Sequence, residues 1–330
     1  MGLFKNFSDV TVRTETIPEK SDLEKVFDCE TEIINQYERN KQFNHFSGEE
    51  HVAYQSLYTT VQKKLANIKI TQELLQDYID ARDNTEKNTQ AKIRGIYSAT
   101  LLEIISTKTP ETHIVIDGKG RTFNYLFYDI YNVKNLTLIN IQGDFTLGNA
   151  GAHNGSVTNI TLRHITGDWT LCNAGRNNGS VTNITLQHIT GNYTLENAGR
   201  YKGNATNITL QYVKGNNILA FLGWNGHATN ITLQDIQGNY TLSNLGYDGE
   251  ATNITLQYLM GDNTLWYVSS SLGCTTNILR EKQLTTRQKS ILSQIQLIVE
   301  TIHALSLEKK ITAHDKIARL QTEIFSEEKK

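Results

Sequence analysis

"TNITLQHITGNYTLENAG", residues 182–199, is preceded by "TNITLRHITGDWTLCNAG" from Thr158 and followed by "TNITLQYVKGNN" from Thr206 and "TNITLQDIQGNYTLSNLG" from Thr229. Asn135, Asn159, Asn183, Asn207, Asn230, Asn253 and Asn277 mark the same point in successive units, at spacings of 24, 24, 24, 23, 23 and 24. A fixed period of this length signals a solenoid, in which each unit contacts mainly its neighbours. Within a unit, apolar residues alternate with threonine, as in Ile160-Thr161-Leu162 and Ile184-Thr185-Leu186. Period two predicts a strand, and β-branched residues suit its pleated surface. A further apolar residue (Ile165, Ile189, Val213, Ile236, Leu259) is followed by a Gly-Asp or Gly-Asn turn, from Gly143-Asp144 to Gly261-Asp262. A second short strand is expected at the leucines Leu147, Leu171, Leu195, Leu242 and Leu265, and a glycine-rich corner such as Gly199–Gly203 closes the unit. No room is left for a helix.

A leucine-rich repeat has an overlapping period, but its ladder wants Asn or Cys where this chain has Ile165 and Ile189. The phrase Asn-x-Thr-Leu-x-x-Ile-x-Gly instead resembles the coils of the right-handed parallel β-helix in the pectate lyase and polygalacturonase superfamily. The resemblance covers about residues 112–279, roughly half the chain. It implies a mainly β fold, a parallel β-helix of about 24-residue coils, and by itself no activity. Coils stacked about 4.8 Å apart would place like residues over like. Ile160, Ile184, Ile208, Ile231 and Ile254 become an internal aliphatic stack. The asparagines, and the Asn/Asp of the glycine turns, become ladders of amides that satisfy one another along the axis. The ladder accounts for the asparagines of the many Asn-x-Thr sequons without glycosylation.

The flanks read differently. Residues 1–20 are expected to be disordered, residues 21–108 helical, residues 109–280 the β-helix, and residues 281–330 a helical C-terminal cap and charged tail. Ser21 with Glu24 forms a capping box. Pro110, one of two prolines, punctuates the change from helix to solenoid. The helical segments are natural covers for the open strand edges at the rod's ends.

Composition narrows the function classes. The 330 residues carry a net charge of −2, which favours neither nucleic acid nor an anionic membrane. The three cysteines, Cys29, Cys172 and Cys274, make no paired framework. No apolar run approaches the roughly 18 residues of a membrane span. The N-terminus lacks a secretory h-region, and Asn6 breaks the myristoylation pattern that Gly2 would begin. The charged tail "SEEKK", the missing leader and the helical extensions resemble effectors exported by bacterial type IV secretion. That resemblance implies action in a host cytoplasm, and otherwise the bacterial cytoplasm.

The catalytic signatures of polygalacturonase-like enzymes (Asn-Thr-Asp, Asp-Asp, Gly-His-Gly, Arg-Ile-Lys) are absent from the repeat. Its sparse carboxylates include Asp144, Asp168 and Asp262, which belong to the turn ladder. His164 and His188 stack in adjacent coils without a third metal ligand. No cofactor or metal is implied. Function is expected where the repeat fails. The corner column Arg176, Arg200, Trp224, Tyr247 and the next, with Tyr201 and Asp248, make a stripe of arginine, aromatics and one carboxylate, side chains typical of binding surfaces. His227 and Trp266 are further exceptions. The reading is a non-catalytic recognition module for a protein or glycan, with Arg176, Arg200, Tyr201, Trp224, His227, Tyr247 and Asp248 as its binding residues. A polysaccharide lyase or hydrolase with an unorthodox site and a self-assembling rod are the alternatives.

Overall fold

The computed structural model describes residues 20–40, 50–261 and 276–278, and the expectations for residues 1–19, for Trp266 and for the C-terminal cap at 281–330 lie outside them. Four helices come first: α1 (Asp22–Asn40), α2 (Glu50–Lys64), α3 (Gln72–Asp80) and α4 (Thr89–Lys108). A parallel sheet follows, in sequential order, from β1 (Ile114–Asp117) through β2 (Asn132–Gln142), β3 (Ser156–Thr166), β4 (Ser180–Thr190), β5 (Asn204–Lys214), β6 (His227–Gln237) and β7 (Glu250–Met260) to β8 (Thr276–Ile278). Strands β2 to β7 define about six turns of a parallel β-solenoid.

The register explains the repeat. Ile160 lies opposite Ile184, Ile184 opposite Ile208, Ile208 opposite Ile231 and Ile231 opposite Ile254. All five are fully buried, as are Leu162, Leu186, Leu210 and Leu233 beside them. Each coil alone could not bury its apolar face; stacking makes one continuous core, which also runs into the helices.

Each coil contains one long strand rather than the expected two or three. Strands β2 to β6 each bend twice at non-glycine residues with positive φ, for example Asn159 (φ 56) and His164 (φ 54) in β3. The segment expected as a second strand is a run of turns, because Trp169, Leu171 and Asn173 also have positive φ. Alternation of backbone handedness curls the chain while its amides still reach the neighbouring coils. Trp169 N–H donates to the Asn192 carbonyl on one side (2.8 Å), and Leu171 N–H to the Thr146 carbonyl on the other (2.9 Å). Thr146, Thr170, Thr194 and Thr241 are buried in this segment, each donating its hydroxyl to the carbonyl of the glycine three residues before.

The two longest side-chain ladders along the axis work differently. Asn159, Asn183, Asn207, Asn230 and Asn253 each donate Nδ2 to the Oδ1 of the preceding rung, at 2.7–2.9 Å. This chain of amides needs a donor and an acceptor on every rung, and the asparagine amide provides both. In the glycine-turn column the donor is instead the backbone. Asp168, Asn192, Asn216 and Asn239 N–H groups donate to the side-chain oxygens of Asp144, Asp168, Asn192 and Asn216. Only an acceptor is required there, so aspartate and asparagine alternate freely. The expected seventh rung is corrected: Asn277 lies opposite Thr255, not Asn253. A two-residue shift preserves the in–out alternation, so period two could not choose between the registers.

The helices close the first coil. Ser98 Oγ on α4 accepts from Phe127 N–H (3.1 Å), and Ser106 Oγ accepts from Lys134 N–H (3.2 Å). On α3, Gln72 Oε1 accepts from Val115 N–H and Gln76 Oε1 from Asp117 N–H. Helix side chains thus stand in for a missing coil and satisfy its open edge. Helix α4 can lie close because residue 95 is glycine; a β-carbon there would collide with the Tyr125 carbonyl. Inside the helical layer, buried Glu30 accepts from Tyr78 Oη (3.0 Å) and Arg82 Nη2 (2.6 Å) and lies 3.5 Å from Arg94 Nε. The Ser21–Glu24 capping box forms as expected, with Glu24 N–H on Ser21 Oγ and Ser21 N–H on Glu24 Oε2.

Candidate functional site

Arg176, Arg200, Trp224 and Tyr247 follow the glycines that begin one corner in four successive coils. Backbone bonds lock the corner: Asn177 N–H donates to the Arg200 carbonyl, Tyr201 N–H to that of Trp224, and Asn225 N–H to that of Tyr247, at 2.8–3.0 Å. The column is therefore spaced at the coil repeat of about 4.8 Å.

The Arg200 guanidinium is the centre of the cluster. Its Cζ lies 3.9 Å from the Trp224 ring centroid, 4.4 Å from that of Tyr201 and 5.7 Å from that of Phe221. Its Nη1 donates to Asn197 Oδ1 (2.6 Å) and its Nη2 to Tyr201 Oη (2.7 Å). Arg176 reaches over the same Tyr201 ring, with Cζ 5.1 Å from its centroid. Phe221 packs against Trp224 at 5.3 Å, and Tyr247 meets Trp224 edge-on at 5.6 Å. Cation–π contacts of this kind hold a guanidinium by its faces. Burial lowers the Arg200 pKa, Tyr201 opposes that, and the nearby Arg176 charge adds to it.

Three members of this cluster escaped the reading of the sequence. Asn197 belongs to a third amide column, in which Asn173 Nδ2 donates to Asn149 Oδ1. That column breaks at Phe221, and the break was visible as Asn149, Asn173, Asn197, then Phe221. Phe221 thereby supplies a ring beneath Arg200. Glu196 is the third. It sits in a column otherwise filled by Cys172, Ala220 and Ser243, half-buried, and burial pushes its carboxyl up to about 6 against the opposing pull of Arg200.

That shift has a sign. The native chain holds the Glu196 proton more tightly than the unfolded chain, so stability falls as pH rises from 4.5 to about 6. Glu196→Gln is expected to leave stability unchanged near pH ~4 and to raise it by about 1 kcal/mol at pH ~7.5, a figure reduced for partial exposure. Urea unfolding at the two pH values measures it; equal effects at both would show that the Glu196 carboxyl titrates in its ordinary range.

His227 and Asp248 stand apart. His227 Nδ1 lies 3.2 Å from Glu250 Oε2 on the neighbouring strand, with both side chains exposed. No hydrogen bond, ion pair or ring contact joins it to Arg200. Asp248 is exposed at positive φ and forms no ion pair among the described residues.

Other columns are occupied by stacking and ladder contacts. His164, His188 and Tyr212 stack face to face at 4.9 Å, so each ring's face is covered by the next. Among the described residues no three His, Cys, Asp or Glu side chains converge as a metal site. A shallow recess of about 650 Å³ follows the glycine-turn corner past Lys87, Asp144, Asp168 and Lys214. Its carboxylates are engaged: Asp144 pairs with Lys87 and accepts from Asp168 N–H, while Asp168 accepts from both nitrogens of Asn192. This recess serves the ladder, and the Arg200 corner is the stronger candidate. Among the described residues no helix is long and apolar enough to cross a membrane.

Fold and site together define a parallel β-solenoid, closed at its N-terminal end by helices and carrying an arginine–aromatic cluster on one corner. No protein-family model, curated protein or solved structure matches the chain.

Proposed function

We propose that the protein is a recognition module and that the corner from Arg176 to Tyr247 is its contact surface, with a protein as partner. The observation that carries this reading is Arg200, its guanidinium fixed at once by Trp224, Tyr201 and Asn197. None of these side chains belongs to the buried apolar core of the stack. Arginine, tryptophan and tyrosine held rigid before binding lose little entropy on complex formation. A glycan is less well served. Trp224 is already engaged by Arg200, Phe221 and Tyr247, so the flat aromatic surface on which a sugar would stack is spent within the protein.

Selection of a displayed random-peptide library on the immobilised full chain, beside a glycan array, tests this. The expected result is peptide ligands whose retention falls by about tenfold or more in Trp224→Ala/Tyr247→Ala, a hot-spot loss. Ligands that bind the variant and the wild type equally would refute the corner as the contact surface.

A further inference from the structure

We infer that the corner takes an acidic peptide segment, its side-chain carboxylates lying between Arg176 and Arg200. The inference rests on reading the corner as a recognition surface and gives that surface its ligand chemistry.

Two guanidiniums in adjacent coils lean over one tyrosine ring, at 5.1 and 4.4 Å, and neither forms an ion pair with a carboxylate among the described residues. Like charges held so close repel, and a ligand anion relieves that repulsion. Among the described residues Arg176 donates no side-chain hydrogen bond, and Nε of both arginines is buried without an acceptor. Geometry gives the direction of approach. Rings cover the faces of the Arg200 guanidinium, so its free N–H groups lie along its edge. A carboxylate binds a guanidinium in that plane, edge to edge. The corner column repeats at about 4.8 Å, so the carboxylates of one short peptide segment lie within reach of both guanidiniums. The half-buried Glu196 is the protein's own nearby negative charge, and it competes with the ligand.

The test uses the full chain and a fluorescein-labelled octa-aspartate peptide, with octa-lysine as control and oligogalacturonate as competitor, read by fluorescence anisotropy. Octa-aspartate is expected to bind and octa-lysine not. Arg176→Ala is expected to weaken octa-aspartate about tenfold, the loss of one charge-assisted pair. Its side chain makes no hydrogen bond among the described residues, and unchanged circular dichroism together with the same loss in Arg176→Gln excludes misfolding. Glu196→Gln is expected to tighten binding about threefold by removing the competing charge. Octa-aspartate that fails to bind, binds Arg176→Ala undiminished, or is displaced by oligogalacturonate at equal carboxylate concentration overturns the proposal. The two readings fail separately. If selected peptides depend on Trp224 and Tyr247 but octa-aspartate does not bind, the acidic ligand falls and the recognition surface stands. If no ligand depends on the corner, both fall.

Discussion

Ile208→Ala is expected to destabilise the protein by about 4 kcal/mol, near the upper part of the range for buried isoleucine. Ile208 is fully buried, with Ile184 and Ile231 opposite it in the neighbouring strands. The cost of such a cavity depends on how far its walls can collapse. Here they are held apart. The Asn207 amide donates to Asn183 and accepts from Asn230, each at 2.8 Å, and the backbone ladder fixes the coils on both sides. Equilibrium urea unfolding measures the loss. Thr209→Ala, at the adjacent outward position, is expected to change stability by about 0.5 kcal/mol or less. A loss below about 1.5 kcal/mol for Ile208→Ala would mean that the stack relaxes and that the coil spacing is softer than the ladders imply.

The second large effect is steric. Gly203→Ala is expected to cost about 3 kcal/mol by overpacking. A β-carbon on Gly203 would overlap the Gly175 carbonyl oxygen, and lie 3.0 Å from its carbonyl carbon and 3.1 Å from the Arg200 carbonyl oxygen. All three are backbone atoms, so no side chain can swing aside. The same contact recurs at Gly179 against Gly151 and at Gly226 against Gly199. Thermal unfolding of the variant measures it; a Tm within about a degree of wild type would contradict so tight a corner.

This glycine shows where the sequence was legible and where it was not. The glycine-rich corner was legible as a corner, and Gly199 adopts the positive φ (63) that only glycine takes freely. Gly203 is required for space, since the preceding coil passes directly against it at Gly175. Spacing between coils is a tertiary quantity that no local pattern records. Most corners are in fact turned by asparagine, leucine or aromatic residues at positive φ, Leu171 and Trp169 among them. A leucine in a short "xTL" phrase reads as strand by its β neighbours, and stacking overrides that preference. By contrast, the isoleucine column was legible because an internal period of 24 residues leaves identical residues only one way to meet.

The candidate site divides similarly. Arg200, Trp224 and Tyr247 stood out as substitutions in an otherwise faithful column. His227 stood out too, yet its imidazole pairs with Glu250, which lies opposite it across two strands and far from it in sequence. Phe221 and Glu196 were overlooked because a phenylalanine or glutamate in a variable column looks unremarkable until the ring beneath Arg200 or the half-buried carboxyl beside it is seen.

The central claim is that the repeated phrase builds the rod and that its failures at one corner bind the partner. Calorimetric titration of a peptide selected on the wild-type chain tests it most directly, comparing Arg176→Ala/Trp224→Ala/Tyr247→Ala with His164→Ala/Tyr212→Ala on a different corner. The expected result is a loss of more than about thirtyfold in affinity for the first variant and less than about twofold for the second. Equal affinities in the two variants, or a loss confined to the second, would contradict the claim.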